Sequence, residues 1–194
     1  SDLAPGTGAY SVSCWFKTGP VGGAFSDQYI FDRTADNAPR ALLLIRPSTA
    51  ANPNVFQFYH TRADGTGSDL QATDLTGITD NNWHQVVALN DGNRYKVYVD
   101  GKQSAITASP IRDVDNTDTP SLWIGLRHSS NNPFGGSLAL FRWSNSAPSP
   151  EQIKKMYDDE KVLFQENAKA TLYGSSDAVT ALAYDDATNL LHVG

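Results

Sequence analysis

The chain has 194 residues, a formal net charge of −6, 40% hydrophobic and 10% aromatic residues, 15 glycines and 10 prolines. That is enough apolar material for one all-β domain of ordinary size with a short appendage, which excludes wholesale disorder. Lys and Arg are scattered over an acidic chain, so no phosphate-reading surface for nucleic acid is expected, and no apolar run reaches the ~18 residues that membrane insertion by a helix needs.

In chain order, period-two alternation between turn residues predicts strands at Ala9–Lys17, Tyr29–Asp32, Arg40–Arg46, Val55–Thr61, His84–Leu89, Tyr95–Val99, Ser121–Leu126 and Ser137–Trp143. In the first, Tyr10, Val12, Cys14 and Phe16 share one face, and Cys14 reads as a small buried hydrophobe. It is the one cysteine of the chain, so an intrachain disulfide is impossible; a domain without disulfides suits folding in a bacterial cytoplasm, as a phage protein would. After Tyr95–Val99, the pair Asp100-Gly101 predicts a type I′ hairpin turn. Gly19-Pro20-Val21-Gly22-Gly23 and Asn131-Asn132-Pro133 separate other strands. Short strands without interleaved helices predict an antiparallel β-sandwich or jelly roll.

A helix is predicted over Glu151–Lys161, with Ser149 as N-cap, Pro150 at the first helical position and Gln152 placed for a capping box. Ile153, Met156 and Tyr157 fall on one side of it. Beyond it, Ala178–Asp185 and Asn189–Gly194 read as a hairpin around Asp186–Thr188. The expected organisation is therefore a domain over residues 1–162 and a tail over 163–194. The chain opens abruptly at Ser1-Asp2, without a signal-peptide pattern, and closes inside a strand-like run, so a fragment of a longer protein is expected.

Two stretches carry a family resemblance: Trp83-His84-Gln85-Val86-Val87-Ala88 with Tyr98-Val99-Asp100-Gly101, and Phe134-Gly135-Gly136-Ser137-Leu138 through Trp143-Ser144-Asn145-Ser146-Ala147 followed by Ser149-Pro150-Glu151-Gln152-Ile153. Together with Ser11–Lys17 they resemble the laminin-G-like, concanavalin-A-like jelly-roll family over roughly residues 8 to 160. The resemblance implies that fold, a binding or structural role first and catalysis second, and a structural part for His84. Where that family often carries an aspartate this chain has Ala139, which lowers the expectation of the family's usual calcium arrangement. The tail pattern Val179, Leu182, Asp185, then Asn189-Leu190-Leu191 and Val193-Gly194, resembles the first two strands of a β-propeller blade and implies a following domain.

Chemistry is constrained mostly by missing residues. The three glutamates, Glu151, Glu160 and Glu166, lie in or just after the helix, and residues 1–147 contain none. Glycoside hydrolysis needs two carboxylates at a set separation, and no Asp-x-Asp pair lies on a predicted strand. A carbohydrate-active enzyme, hydrolase or lyase, is thus the lesser alternative, and no catalytic residue is expected. His60, His84, His128 and His192 form no zinc-ligand spacing. Asp113, Asp115 and Asp118 crowd one loop with oxygen-ligand chemistry, so Ca2+ is a candidate there; a solvated acidic turn is the simpler reading. Alternation places Leu122, Ile124 and Leu126 in the core with Trp123 and Arg127 facing away; Ala139, Phe141 and Trp143 in the core with Leu140 and Arg142 outward; and Tyr98 opposite Val97 and Val99. Tyr98, Trp123, Arg127 and Arg142 are accordingly the candidate ligand-binding residues, with Tyr98, Trp123 and Arg142 expected on the outer face of one sheet. Aromatic and arginine side chains together suit sugar stacking and hydroxyl recognition. The expected function is a non-enzymatic adhesion or assembly module of a phage tail or virion protein, extracellular or on the virion. Its expected partners are a glycan or cell-surface polysaccharide, sibling subunits through self-association, or neighbouring domains.

Overall fold

The computed structural model describes residues 6–18, 27–34, 40–46, 55–61, 67–72, 78–106, 121–128, 133–165, 182–185 and 190–193. Unit one spans Ser1–Glu160 and unit two Lys161–Gly194. Among the described residues, ten strands of unit one form two five-stranded antiparallel sheets. The first sheet has the order β10 (Gly136–Ser144), β1 (Tyr10–Thr18), β6 (Trp83–Asn90), β7 (Tyr95–Val99), β8 (Lys102–Ile106). The second has the order β5 (Gly67–Ala72), β4 (Val55–Thr61), β3 (Arg40–Arg46), β2 (Gln28–Thr34), β9 (Ser121–Ile124). Helix α1 runs Pro150–Glu160. Unit two holds a 3-10 turn, Lys161–Phe164, and a two-stranded antiparallel ribbon, β11 (Leu182–Asp185) and β12 (Leu190–Val193).

Alternation explains the sandwich. Tyr10, Val12, Cys14 and Phe16 of β1, Val86 and Ala88 of β6, and Val97 and Val99 of β7 meet Phe31, Ala41, Leu43, Ile45, Phe56 and Phe58 of the facing sheet in one buried core. Aromatic contacts bind the core: Phe16 meets Phe56 of the facing sheet edge to face at 5.3 Å between centroids, and within the first sheet Tyr10 stacks on Trp143 of the neighbouring strand at 5.1 Å. The sandwich expected from the sequence is the one observed. Strands β5 and β8 were not among the expected elements. Gly67-Ser68-Asp69-Leu70-Gln71-Ala72 and Lys102-Gln103-Ser104-Ala105-Ile106 are too polar to register as strands, and both lie at sheet edges where little side-chain burial is required.

Two core expectations need correction. Ile124 is 49% exposed, because among the described residues β9 is the edge strand of its sheet. Ala139 pairs with Trp15 outside the core, because the β1–β10 register shifts between Ser13 and Trp15. Leu140 takes a left-handed φ of 49° at this shift, and Leu138, Phe141 and Trp143 are the residues of β10 that pack inward.

The helix begins as its sequence predicts. Gln152 N–H donates to Ser149 Oγ at 3.2 Å and Ser149 N–H to Gln152 Oε1 at 2.8 Å, a closed capping box. The hairpin also forms, with Asp100 and Gly101 at φ 50° and 74° between Val99 and Lys102, as a type I′ turn requires. A Cβ on Gly101 would come within 3.1 Å of both Lys154 Cδ and Tyr157 Cβ of the helix. Replacing Gly101 by Ala should therefore cost roughly 1–2 kcal/mol from the left-handed backbone alone, and more from the helix contact. Urea unfolding should show a lowered midpoint at unchanged slope.

Candidate functional site

A β-sandwich has two outer faces, and here the sheet containing β1 and β6 has lost its own to the helix. Ile153, fully buried, packs with Val87, Leu89 and Tyr98, and Met156 adds to the cluster. Tyr157 stacks on Trp15 at 5.7 Å. Glu160 then gathers three donors from three strands: Trp15 Nε1 at 2.7 Å, Arg142 Nη1 at 2.7 Å and Gln85 Nε2 at 3.3 Å. The last turn of a helix disfavours a carboxylate, so these donors are what hold Glu160 there.

This docking settles where the expected ligand residues lie. Tyr98 is 3% exposed beneath the helix, and Arg142 is ion-paired to Glu160. Trp123 and Arg127 belong to the other sheet's side. The expectation that Tyr98, Trp123 and Arg142 share one outer face is therefore corrected. Strand order separates β7 and β10 from β9, which alternation within single strands does not reveal. Asp113, Asp115 and Asp118, the candidate calcium ligands, lie outside the described residues.

The outer face of the second sheet carries a cleft of about 300 Å³ lined by Tyr29, Arg40, Leu42, Leu44, Arg46, Gln57, Tyr59 and Arg127. Its floor is apolar: Tyr29, Leu42 and Leu44 form a buried cluster against which Tyr59 packs. The Arg127 guanidinium lies over the Tyr29 ring, 5.6 Å from the centroid. Arg40 is held by buried Asp32, with Nε donating to Oδ1 at 2.8 Å and Nη2 to Oδ2, and His128 N–H donates to the same carboxylate at 2.9 Å. Burial disfavours the Arg40 charge, but the Asp32 carboxylate outweighs it and raises the guanidinium above its ordinary value. Trp123 pairs with Asp32 across β2–β9, is 38% exposed and meets His128 edge to face at 5.6 Å. From Tyr59 on β4 to Trp123 on β9 is three strand spacings, about 14 Å. Trp123 and Arg127 were legible in the sequence. Tyr29, Gln57, Tyr59 and Arg40 were missed, although Gln57 and Tyr59 alternate with the core residues Phe56 and Phe58 and could have been assigned outward.

The described residues that line the cleft include no Asp or Glu. Other titratable groups are built into the scaffold. Burial pushes the Cys14 thiol up to about 12, far from a nucleophile's range. His84 Nδ1 lies 2.8 Å from Asp100 Oδ2 and Nε2 lies 3.1 Å from Asp80 Oδ1, while Gln85 N–H donates to Asp100 Oδ1 at 2.9 Å. Burial opposes the His84 cation, but the hydrogen bonds of Asp100 and Asp80 outweigh it and raise its pKa. His60 is fully buried, stacked on Tyr95 at 3.9 Å and hydrogen-bonded to Tyr10, with no partner for Nδ1 among the described residues. Desolvation lowers its pKa to about 3.

The two histidines should act on stability in opposite directions. The His84 contribution is full below the unfolded value of about 6.5 and is lost as pH rises through the higher folded value. The His60 contribution is present above about 6.5 and is lost as pH falls towards 3. Urea midpoints measured from pH 4 to pH 9 should fall at both ends. His84→Gln should flatten the alkaline limb, and His60→Phe the acid limb.

Comparisons with known proteins agree on the architecture. Domain 4 of AbnA, a GH43 extracellular arabinanase from Geobacillus stearothermophilus solved in complex with arabinotriose, superposes with a TM-score of 0.55 at 21% identity, over 77% of this chain and 66% of that one. The binding domain of Paraclostridial Mosquitocidal Protein 1 gives 0.60 at 11% identity, over 78% and 37%. The receptor binding domain of botulinum neurotoxin mosaic serotype C/D gives 0.59 at 19% identity, over 80% and 37%. The chain thus spans less than two thirds of each, and at these identities the likeness is one of fold. No curated protein matches. The model of the Laminin_G_3 family covers residues 1–154, and the chain belongs to that family, in the concanavalin A-like lectin/glucanases superfamily.

Proposed function

We propose that this chain is a non-enzymatic carbohydrate-binding module that takes a short glycan along the outer face of the β5-β4-β3-β2-β9 sheet. The observation that carries this reading is the cleft in which Tyr59 and Arg127 stand over an apolar floor with Gln57 and Arg40 beside them. Sugar rings present an apolar face and a rim of hydroxyls, which an aromatic ring and fixed amide and guanidinium donors match. Trp123 extends the aromatic surface at the β9 end. A lining without carboxylates does not supply the acid and base or nucleophile of glycoside hydrolysis. The complex of the arabinanase domain with arabinotriose is compatible with this reading. The setting we propose is extracellular or on a virion, such as a phage tail protein; a single cysteine leaves no intrachain disulfide, which suits a phage protein folded in a bacterial cytoplasm. Calorimetry against a panel of soluble oligosaccharides should find binding without release of reducing ends. Tyr59→Ala should weaken binding by about 1 kcal/mol with the fold intact. Binding to none of the panel, or binding indifferent to that substitution, would overturn the site.

A second reading, subunit assembly, is favoured by the β11–β12 ribbon, since a lone two-stranded ribbon is marginal in water and recruits other strands. On this reading the full chain self-associates, and a chain ending at Lys161 keeps the jelly roll and is monomeric. Light scattering on both decides it, and a full chain that is already monomeric sinks the assembly role.

A further inference from the structure

We infer that the glycan taken by this cleft is acidic, carrying a carboxylate of the uronic or sialic type that docks on Arg127; this rests on the carbohydrate-binding reading above. The charge arrangement within the cleft is the reason. Two of its three arginines are already neutralised: Arg40 by Asp32, and Arg46 by Asp27 through Nε at 3.1 Å and Nη2 at 3.2 Å. Arg127 has its cation–π contact with Tyr29 and no carboxylate partner among the described residues. On a chain of net charge −6, a guanidinium left uncompensated above a hydrophobic floor is a local exception. The Tyr29 ring beneath it limits the guanidinium to a narrow range of positions and leaves its donor edges for a ligand.

The planar fork of donors matches a carboxylate, which accepts two parallel N–H bonds, better than it matches a single hydroxyl. Arg127 lies in a recess with Tyr29, Leu42 and Leu44 as its floor, so a bound carboxylate would be partly shielded from water and the attraction less screened than on a flat surface. Tyr59 and Gln57 on the next strand but one would then receive the neighbouring sugar ring and its hydroxyls. The ligand is thus recognised by one charged group and one ring face.

The test is calorimetry on the full chain with trigalacturonate, its methyl ester, sialyllactose and neutral cellotriose, repeated with Arg127→Gln and with Tyr59→Ala. We expect one of the two acidic sugars to bind at least tenfold more tightly than methyl-esterified trigalacturonate and cellotriose. That preference should shrink as sodium chloride is raised, and it should be lost in Arg127→Gln while residual neutral binding persists. The two acidic probes distinguish a uronate from a sialate. Neutral and esterified sugars binding as well as acidic ones, with Tyr59→Ala still weakening binding severalfold, would overturn the charge assignment and leave the carbohydrate site standing. No binding by any of the four would overturn both. An acidic preference that survives Arg127→Gln would also overturn the assignment, because the charge would then be read elsewhere.

Discussion

The seating of helix α1 on the β10-β1-β6-β7-β8 sheet is the constraint from which the rest of unit one follows. Ile153 inserts among Val87, Leu89 and Tyr98, and Glu160 accepts from Trp15, Gln85 and Arg142. A carboxylate with three donors is a specific lock, since each donor sits on a different strand. One outer face of the sandwich is thereby covered, and the cleft lies on the other. The close approach also accounts for glycine at position 101, because the helix leaves no room for a side chain above the β7–β8 turn.

The same turn connects to a second polar device. Asp100 sits in the left-handed region, where an aspartate is tolerated, and its carboxylate reaches back to both the His84 ring and the Gln85 amide. Its own N–H donates to the Gln85 carbonyl at 2.9 Å. The tryptophan-histidine start of β6 and the aspartate-glycine end of β7 are thus one structural unit. The Asp100 carboxylate closes the hairpin onto the start of β6, a structural part on the sheet opposite the cleft.

The open face has the opposite electrostatic character from the chain as a whole. An acidic protein places three arginines around one cleft and sets aspartates beside two of them. Asp32 is completely buried, so its pairing with Arg40 orients that guanidinium rigidly, while Arg46 and Asp27 meet in a more exposed position. A surface pair of the latter kind contributes little to stability. Its effect is to leave Arg127 as the cleft arginine without a carboxylate partner among the described residues.

Much of this was decided locally and could be read in one dimension. Tyr10, Val12, Cys14 and Phe16 lie on one core face because a strand's period is two; Ser149 and Gln152 close a capping box because their spacing is that of one helical turn; Asp100-Gly101 turns because both tolerate positive φ. The family resemblance rests on these same residues, and the fold it implied is the one observed. Where local rules met an interruption they erred: the bulge at Leu140 moved Ala139 out of the core, and the edge position of β9 left Ile124 exposed. The candidate site was legible in half. Trp123 and Arg127 face outward by alternation, but Tyr98 and Arg142 do so as well, and nothing along the chain says that a helix covers one pair and leaves the other. Which strands become neighbours, which face is covered and which arginine is left without a carboxylate depend on contacts between residues far apart in sequence, such as Trp15 with Glu160 and Tyr29 with Arg127. The sequence by itself determined the strands, the turn, the cap and the core alternation, because those depend on neighbours within a few residues; only the tertiary structure chose the face that remains open.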